Sequence, residues 1–169
     1  MVSGFLSYVE IRTKITSVFA FMMALSYLFY IGQPIRALPT IVFFAAMFLF
    51  DLTTTAINNY IDSKTNDQVL PCKRRNALII IYILLILSTV LGLGLVVLTD
   101  IVVLLVGGLC FMCGIFYTYG PVPISRQPWG EVLSGIFYGL LIPFLLLHIN
   151  MPRGYFVSLN ISPEVVSGE

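Results

Sequence analysis

Five long apolar segments, joined by short polar connections, constrain the fold of this chain more than any other feature of its sequence. A helix needs about 20 apolar residues to cross a bilayer, where an unpaired backbone amide finds no partner. Only 10% of the residues are charged, against about 25% in soluble domains. We therefore predict an all-α integral membrane protein, a polytopic transmembrane helical bundle in a lipid bilayer, with spans at Ile15–Gln33, Ala37–Asn58, Ala77–Thr99, Ile101–Tyr119 and Val132–Ile149.

The turn at Thr99 and Asp100 leaves so little chain between the third and fourth segments that they must form a tight antiparallel hairpin. We expect these two helices to pack on each other, because small residues let membrane helices approach closely. The small residues of this hairpin are Gly92, Gly94, Gly107, Gly108 and Gly114.

The positive residues are distributed unevenly between the two sides of the spans. Of nine Lys and Arg residues, seven precede the first segment or lie in the connections 59–76 and 120–130, and Arg36 and Arg153 lie on the other side. Because cytoplasmic connections carry the excess of Lys and Arg, we predict a cytoplasmic amino terminus and a cytoplasmic active site. The net charge of +1 argues against nucleic-acid binding, which needs a clustered basic face. No protein partner can be inferred from the sequence.

Polar residues concentrate at the end of the second segment. At about 100° per residue, Asp51, Asn58 and Asp62 fall within about 40° of one another around a helix, and Asp51 lies about 10 Å deeper than Asn58. An ionisable residue inside a membrane span is energetically costly, so it is a hypothesis of function by default. This stripe is therefore the place to look for chemistry.

The residue types of the stripe are those of a magnesium site. Asn58 and Asp62 can present oxygens to one cation, with Asn66 or Asp67 as the outer ligand. Mg²⁺ prefers oxygen ligands and is commonly held by one or two carboxylates plus substrate phosphates. On the same side, the basic run Lys73-Arg74-Arg75 and the isolated Lys64 can contact phosphate oxygens. An alternative stays open, in which these charges form a solvated loop and a topology signal, and Asp51 is a buried structural hydrogen bonder.

Two motifs in this chain are similar to those of a known enzyme family. The run Asn58-Asn59-Tyr60-Ile61-Asp62 resembles the first aspartate-rich motif, commonly Asn-Asp-Tyr-x-Asp, of the UbiA-type membrane prenyltransferases. The stretch from Tyr117 to Glu131, YTYGPVPISRQPWGE, resembles the Tyr-Thr-x-Gly-Pro-x-Pro and Gly-Glu signature of the menaquinone branch, the 1,4-dihydroxy-2-naphthoate prenyltransferases. Asn59 departs from the family pattern, and the family's second aspartate-rich motif is absent from the sequence.

This resemblance implies a fold of nine transmembrane helices around a central cavity, of which residues 1–169 form the first five as one domain. We expect the chain to be the amino-terminal portion of a longer prenyltransferase, inactive alone. The implied enzyme is a Mg²⁺-dependent transferase of menaquinone (vitamin K2) biosynthesis in a bacterial cell membrane. It would move a polyprenyl group from polyprenyl diphosphate to 1,4-dihydroxy-2-naphthoate, an aromatic acceptor.

The resemblance also implies a role for each candidate site residue. The metal ligands and catalytic residues would be Asn58, Asp62 and Asp67. The diphosphate contacts would be Lys64, Arg74, Arg75 and Arg126. The acceptor contacts would be Tyr117 and Tyr119, and the supporting residues would be Asp51 and Glu131.

Three other functions compete with this one. The first is a UbiA-type enzyme with a different aromatic acceptor. The second is a non-catalytic transporter or subunit fragment that uses the acidic stripe for ion passage. The third is a membrane phosphotransferase of the CDP-alcohol type, whose denser aspartate and glycine signature this chain lacks.

Overall fold

The computed structural model describes residues 2–65, 69–118 and 129–151, which are helical almost throughout. Among these residues there is no strand, so the predicted all-α class is confirmed. In chain order the elements are α1 (Val2–Tyr8), a 3-10 turn (Ile11–Lys14), α2 (Ile15–Tyr30), α3 (Ala37–Thr65), α4 (Arg74–Leu98), α5 (Ile101–Thr118), α6 (Trp129–Ile136), a π-helical turn (Phe137–Leu141) and α7 (Ile142–Asn150).

Four stretches of the described residues are long and apolar enough to cross a membrane, at Ile11–Tyr30, Ala37–Lys64, Arg74–Leu98 and Trp129–Asn150. A fifth apolar helix, Ile101–Tyr117, is shorter. Large apolar side chains such as Ile83 and Ile86 of α4 stay exposed, as expected where lipid rather than water surrounds a helix. The bundle is therefore suited to a lipid bilayer, as the sequence predicts.

The helix α3 extends beyond its predicted end at Asn58 and continues to Thr65. The residues after Asn58 include no proline or glycine to interrupt the ladder, and Arg74 Nη2 donates to the Ser63 carbonyl oxygen over 3.1 Å. The next helix begins at Arg74 rather than at the predicted Ala77. Asp62 consequently lies on a helix and not in a connecting loop.

The glycine-based prediction about the α4–α5 hairpin is wrong for most of its residues. The helix α4 packs chiefly along α3, and its contact with α5 is much less extensive. A Cβ added at Gly114 would lie 2.5 Å from Cε1 of Phe50, so this glycine permits a close approach between α5 and α3. An added Cβ would meet no described atom within 4 Å at the other four positions, Gly92, Gly94, Gly107 and Gly108.

Antiparallel helices give the bundle two ends, which we name the Asp62 end and the Asp100 end after an acid at each. At the Asp100 end, Arg36 ties three helices together. Its backbone amide donates to Asn150 Oδ1 over 2.7 Å, and its guanidinium donates to the carbonyl oxygens of Leu98 at 3.0 Å and Ile149 at 3.2 Å. These two carbonyls lie at helix C-termini, where a cation is favourable.

Asp100 closes the α4–α5 turn at the same end. Its Oδ1 accepts from the backbone amides of Val102 and Val103, at the start of α5, and its Oδ2 lies 2.9 Å from His148 Nε2. Burial alone would raise the pKa of Asp100, but the hydrogen bonds from His148, Val103 and Val102 lower this pKa below its ordinary value. The polar groups of this end thus serve to close and join helices.

Candidate active site

Asn58 and Asp62 lie one turn apart on the same face of α3, as the sequence predicts. Both side chains are half-buried, and Asn58 Nδ2 donates to Asp62 Oδ2 over 3.1 Å. Among the described residues, no group of three or more His, Cys, Asp or Glu is placed to hold a metal ion. The pair therefore offers two oxygen donors, which suits a cation that keeps several waters and takes phosphate oxygens. Asn66 and Asp67 lie outside the described residues.

Asn59, the residue that departs from the family motif, faces a different part of the molecule. Its Nδ2 donates to the Tyr8 carbonyl oxygen over 2.8 Å and to Glu10 Oε1 over 3.1 Å. Tyr8 in turn donates its hydroxyl to the Ala56 carbonyl oxygen over 2.8 Å, and burial raises the pKa of this phenol. An aspartate at position 59 would face two acceptors, so the amide is required here for structure.

Asp51 is the deep member of the stripe, and it is paired. Lys14 Nζ lies 2.9 Å from Asp51 Oδ1, with side-chain exposures of 6% and 12% respectively. Ser17 Oγ donates to Asp51 Oδ2 over 2.6 Å, and the Tyr138 hydroxyl is 3.5 Å from Oδ1. Lys14 therefore neutralises the charge of Asp51 within the helix bundle, where the carboxylate also accepts a hydrogen bond from Ser17.

The predicted phosphate-binding cations gather where α3 ends and α4 begins. Lys64 Nζ lies 4.8 Å from the centroid of the Tyr60 ring, and Arg74 is bonded to the last turn of α3. Arg75 is exposed in the first turn of α4. The preceding residue, Lys73, provides no side-chain hydrogen bond to cap that helix. Arg126 lies outside the described residues.

A cavity of about 470 Å³ lies within the bundle, between α2, α3, α4, α5 and the rod formed by α6, the π-helical turn and α7. Apolar side chains form most of its wall, and Gly92, Gly107 and Gly108 widen it. Along α3 the lining residues run from Phe43 to Thr54, a distance of about 16 Å at 1.5 Å per residue. The volume is in the range of small-molecule binding sites.

Several polar side chains interrupt the apolar wall of the cavity, among them Asp51, Ser88 and Tyr117. Tyr117, predicted to contact an acceptor, lines the cavity, and its hydroxyl is 3.3 Å from Ser134 Oγ and 3.4 Å from the Gly130 carbonyl oxygen. Glu131 is exposed in the first turn of α6 and is not among the residues that line the cavity. Tyr119 lies outside the described residues.

Three residues of this region are not among the site residues that the sequence predicts: Lys14, Ser134 and Tyr138. In the sequence Lys14 is a topology signal, although a lysine at the start of a span with an acid in the next one is also a candidate ion pair. Ser134 and Tyr138 lie four residues apart, and both line the cavity. Residues four apart lie on the same face of a helix, so the sequence pattern does indicate that these two side chains are neighbours.

The chain matches no protein-family model, no curated protein and no solved structure. The prenyltransferase resemblance consequently depends on the two motifs of the sequence. The geometry of the Asn58–Asp62 pair, the cations and the cavity is independent of it.

Proposed function

We propose that this chain is part of a Mg²⁺-dependent membrane prenyltransferase that moves a polyprenyl group from its diphosphate to 1,4-dihydroxy-2-naphthoate. One observation carries the proposal. The row of α3 residues that lines the apolar cavity continues, at helical spacing, from Thr54 to Asn58 and Asp62. Asn58 is only about 6 Å along the helix from Thr54. A polar head group and an apolar tail can therefore be held by one face of one helix.

The apolar part of such a substrate suits the cavity. A prenyl chain has no hydrogen-bonding groups, so it gains from leaving water and needs only an apolar wall. The cavity supplies that wall over about 16 Å along α3, together with residues of the other helices that surround it. The proposed tail position thus follows from the direction of α3.

The diphosphate part suits the cations at the junction of α3 and α4. Arg74 and Arg75 stand in the first turn of α4, where the positive end of the helix dipole disfavours cations. An anion bound there relieves this repulsion and finds the free amides of a helix N-terminus. Lys64 adds a third positive charge one residue before α3 ends.

Asn58 and Asp62 would hold Mg²⁺ together with the diphosphate oxygens. When bound, the metal supplies Lewis acidity, which makes the diphosphate a better leaving group. In the reaction the allylic carbon–oxygen bond breaks, and its electron pair leaves with the diphosphate. The electron-rich ring provides the pair for the new carbon–carbon bond and regains its aromaticity when its carboxylate leaves as CO₂. The cations at the α3–α4 junction would stabilise the departing charge. The buried cavity wall would keep water from the allylic cation.

Binding of farnesyl diphosphate to the chain in lipid nanodiscs, with and without Mg²⁺, tests the proposal. We expect Mg²⁺ to tighten binding and Asp62→Asn to remove this effect, with a loss of at least about tenfold, as for other perturbed metal sites. Asp100→Asn is the matched control, because it makes the same change at the opposite end. Magnesium-independent binding, or equal behaviour of the two variants, would contradict the metal site.

The transfer reaction is tested in membranes that carry the protein with any sequence that follows Glu169 in its gene. We expect 1,4-dihydroxy-2-naphthoate to be prenylated in preference to 4-hydroxybenzoate. The reverse preference would assign a different aromatic acceptor to the same metal site. Loss of transfer in Asp62→Ala is expected for either acceptor.

Ion passage, the non-catalytic alternative, is less consistent with the contacts of Asp51. A conducting path would need this carboxylate to be available to a passing ion. Instead the Asp51 carboxylate bonds Lys14 and Ser17, and the Lys14 ammonium neutralises its charge within the bundle. Flux through proteoliposomes without any prenyl substrate would reverse this conclusion.

A further inference from the structure

Within the part of the chain that the structure describes, the hydroxyls of two tyrosines at the cavity wall have only long hydrogen bonds. The Tyr117 hydroxyl is 3.3 Å from Ser134 Oγ and 3.4 Å from the Gly130 carbonyl oxygen. The Tyr138 hydroxyl is 3.5 Å from Asp51 Oδ1. Hydroxyl hydrogen bonds are shortest and strongest near about 2.7–2.8 Å. Both phenols therefore have hydrogen-bonding capacity that their protein partners use poorly.

The neighbouring contacts show that this region is otherwise tightly bonded. Ser17 Oγ and Asp51 Oδ2 are 2.6 Å apart, and Lys14 Nζ and Asp51 Oδ1 are 2.9 Å apart. The long hydrogen bonds thus belong to the hydroxyls of Tyr117, on α5, and Tyr138, on the π-helical turn, and both residues line the cavity. A weakly bonded hydroxyl facing an apolar space gains most from a ligand that brings its own oxygen.

The backbone at Tyr138 is itself unusual. Residues Phe137–Leu141 form a π-helical turn, and the Ile142 amide bonds the Phe137 carbonyl oxygen, five residues back. Such turns are rare and occur frequently at functional sites. Pro143 contributes to this one, because it has no N–H to bond the carbonyl four residues earlier. The turn sets the rotational position of Tyr138 relative to Ser134, which precedes it on regular α-helix.

We propose that Tyr117, Ser134 and Tyr138 form a binding site for the hydroxyl of an aromatic ring whose body lies in the apolar cavity. The preferred ligand is a neutral phenol or naphthol. Asp51 is a positioning residue: held by Lys14 and Ser17, it accepts the long hydrogen bond of the Tyr138 hydroxyl, whose oxygen is then able to accept a hydrogen bond from a ligand. That the natural ligand is the prenyl acceptor rests on the proposed function, whereas the site itself does not.

The test compares two probes of similar shape on the full chain in nanodiscs. 1-Naphthol is fluorescent and carries one hydroxyl, and 1-methylnaphthalene has a methyl group in its place. We expect the chain to bind 1-naphthol more tightly than 1-methylnaphthalene. One neutral hydrogen bond gives a preference of about fivefold to tenfold. Nanodiscs without protein correct both measurements for partition into lipid.

The variants Tyr138→Phe and Tyr117→Phe should each reduce the ratio of the two affinities, and the double variant should bring it close to one. Tyr82→Phe is the matched control, because Tyr82 is 61% exposed on α4 and does not line the cavity. Asp51→Asn should lower the ratio while leaving 1-methylnaphthalene binding unchanged. A merely structural role would alter both probes equally.

An unchanged ratio in the double variant would overturn the proposal. So would equal binding of the two probes to the unmodified chain. Both measurements are made without Mg²⁺ or diphosphate, so their failure is distinguishable from failure of the transferase proposal. If the chain selects 1-naphthol but does not bind farnesyl diphosphate in a Mg²⁺-dependent way, the hydroxyl site is supported and the transferase proposal is not.

Discussion

Replacing Lys14 by methionine should destabilise the bundle strongly, because it leaves a buried carboxylate without its counter-charge. The side chains of Lys14 and Asp51 are 6% and 12% exposed, and their charged atoms are 2.9 Å apart. The same ammonium also donates to the Thr55 hydroxyl. Breaking a buried pair from one side costs about 3–5 kcal/mol. Ser17 continues to donate to Asp51, so we expect the lower end, about 3 kcal/mol.

The reverse change should cost less. Asp51→Asn keeps the shape of the side chain and leaves an ammonium at the end of a flexible stem near the start of α2. Such a stem can turn its charge towards the bilayer surface, which a carboxylate held in the middle of α3 cannot do. We therefore expect a loss of about 1–2 kcal/mol. Lys14→Met combined with Asp51→Leu should recover most of the loss of the first change, since no unpaired charge remains.

The free energies of unfolding can be measured by titrating SDS into mixed micelles and following helicity by circular dichroism. Arg12→Met is the matched control, because Arg12 is an exposed cation of the neighbouring 3-10 turn. Its effect should be within about 0.5 kcal/mol. Additive losses in the double variant, or a small effect of Lys14→Met alone, would refute the buried ion pair.

Two further outcomes follow from hydrogen bonds at the two ends of the bundle. Asn59→Asp should lower the free energy of unfolding by about 1–2 kcal/mol, because its carboxylate would face the Tyr8 carbonyl oxygen and the Glu10 carboxylate. Adding Glu10→Gln to this variant should recover part of that loss in SDS titrations. No recovery would contradict the contact between residues 59 and 10. The pKa of Asp100 is lowered in the folded protein, so its stabilisation is present above the ordinary carboxyl value of 3.8 and is lost as pH falls through the folded value. An acid titration of unfolding should show this loss, and Asp100→Asn should abolish it; an identical acid profile in His148→Ala would contradict the pairing with histidine.

The apolar segments were sufficient to predict the helices, because a bilayer admits few alternatives to a long apolar helix. Their ends were less predictable. The sequence from Asn59 to Thr65 is polar enough to be a loop, yet it continues α3. Tertiary contacts decide this, since Arg74 binds the Ser63 carbonyl from the next helix. The local sequence pattern around residues 59–65 cannot predict a hydrogen bond to a residue of the next helix.

The candidate site was predictable where it depends on helical spacing and not where it depends on helix packing. Asn58 and Asp62 share a face because they are one turn apart, and the structure agrees. The partnership of Asp51 with Lys14 joins two helices, so its exact pairing required the packed bundle. The glycines of the α4–α5 hairpin failed as a packing signal for the same reason, because small residues can line a cavity as well as a contact.

The two ends of the bundle use their polar groups differently, and this difference favours the Asp62 end as the place of chemistry. At the Asp100 end, Arg36 bonds carbonyls at helix C-termini and Asp100 bonds amides at a helix N-terminus, so each charge stands where the helix dipole favours it. At the other end, Arg75 is exposed in the first turn of α4, where the dipole opposes it, whereas Arg74 in the same turn bonds the Ser63 carbonyl oxygen in the last turn of α3. A cation placed against the dipole lowers stability by about 0.3–1 kcal/mol, and a bound anion relieves this cost. A diphosphate is such an anion, and the prediction that polyanions bind at this end is therefore independent of any family motif.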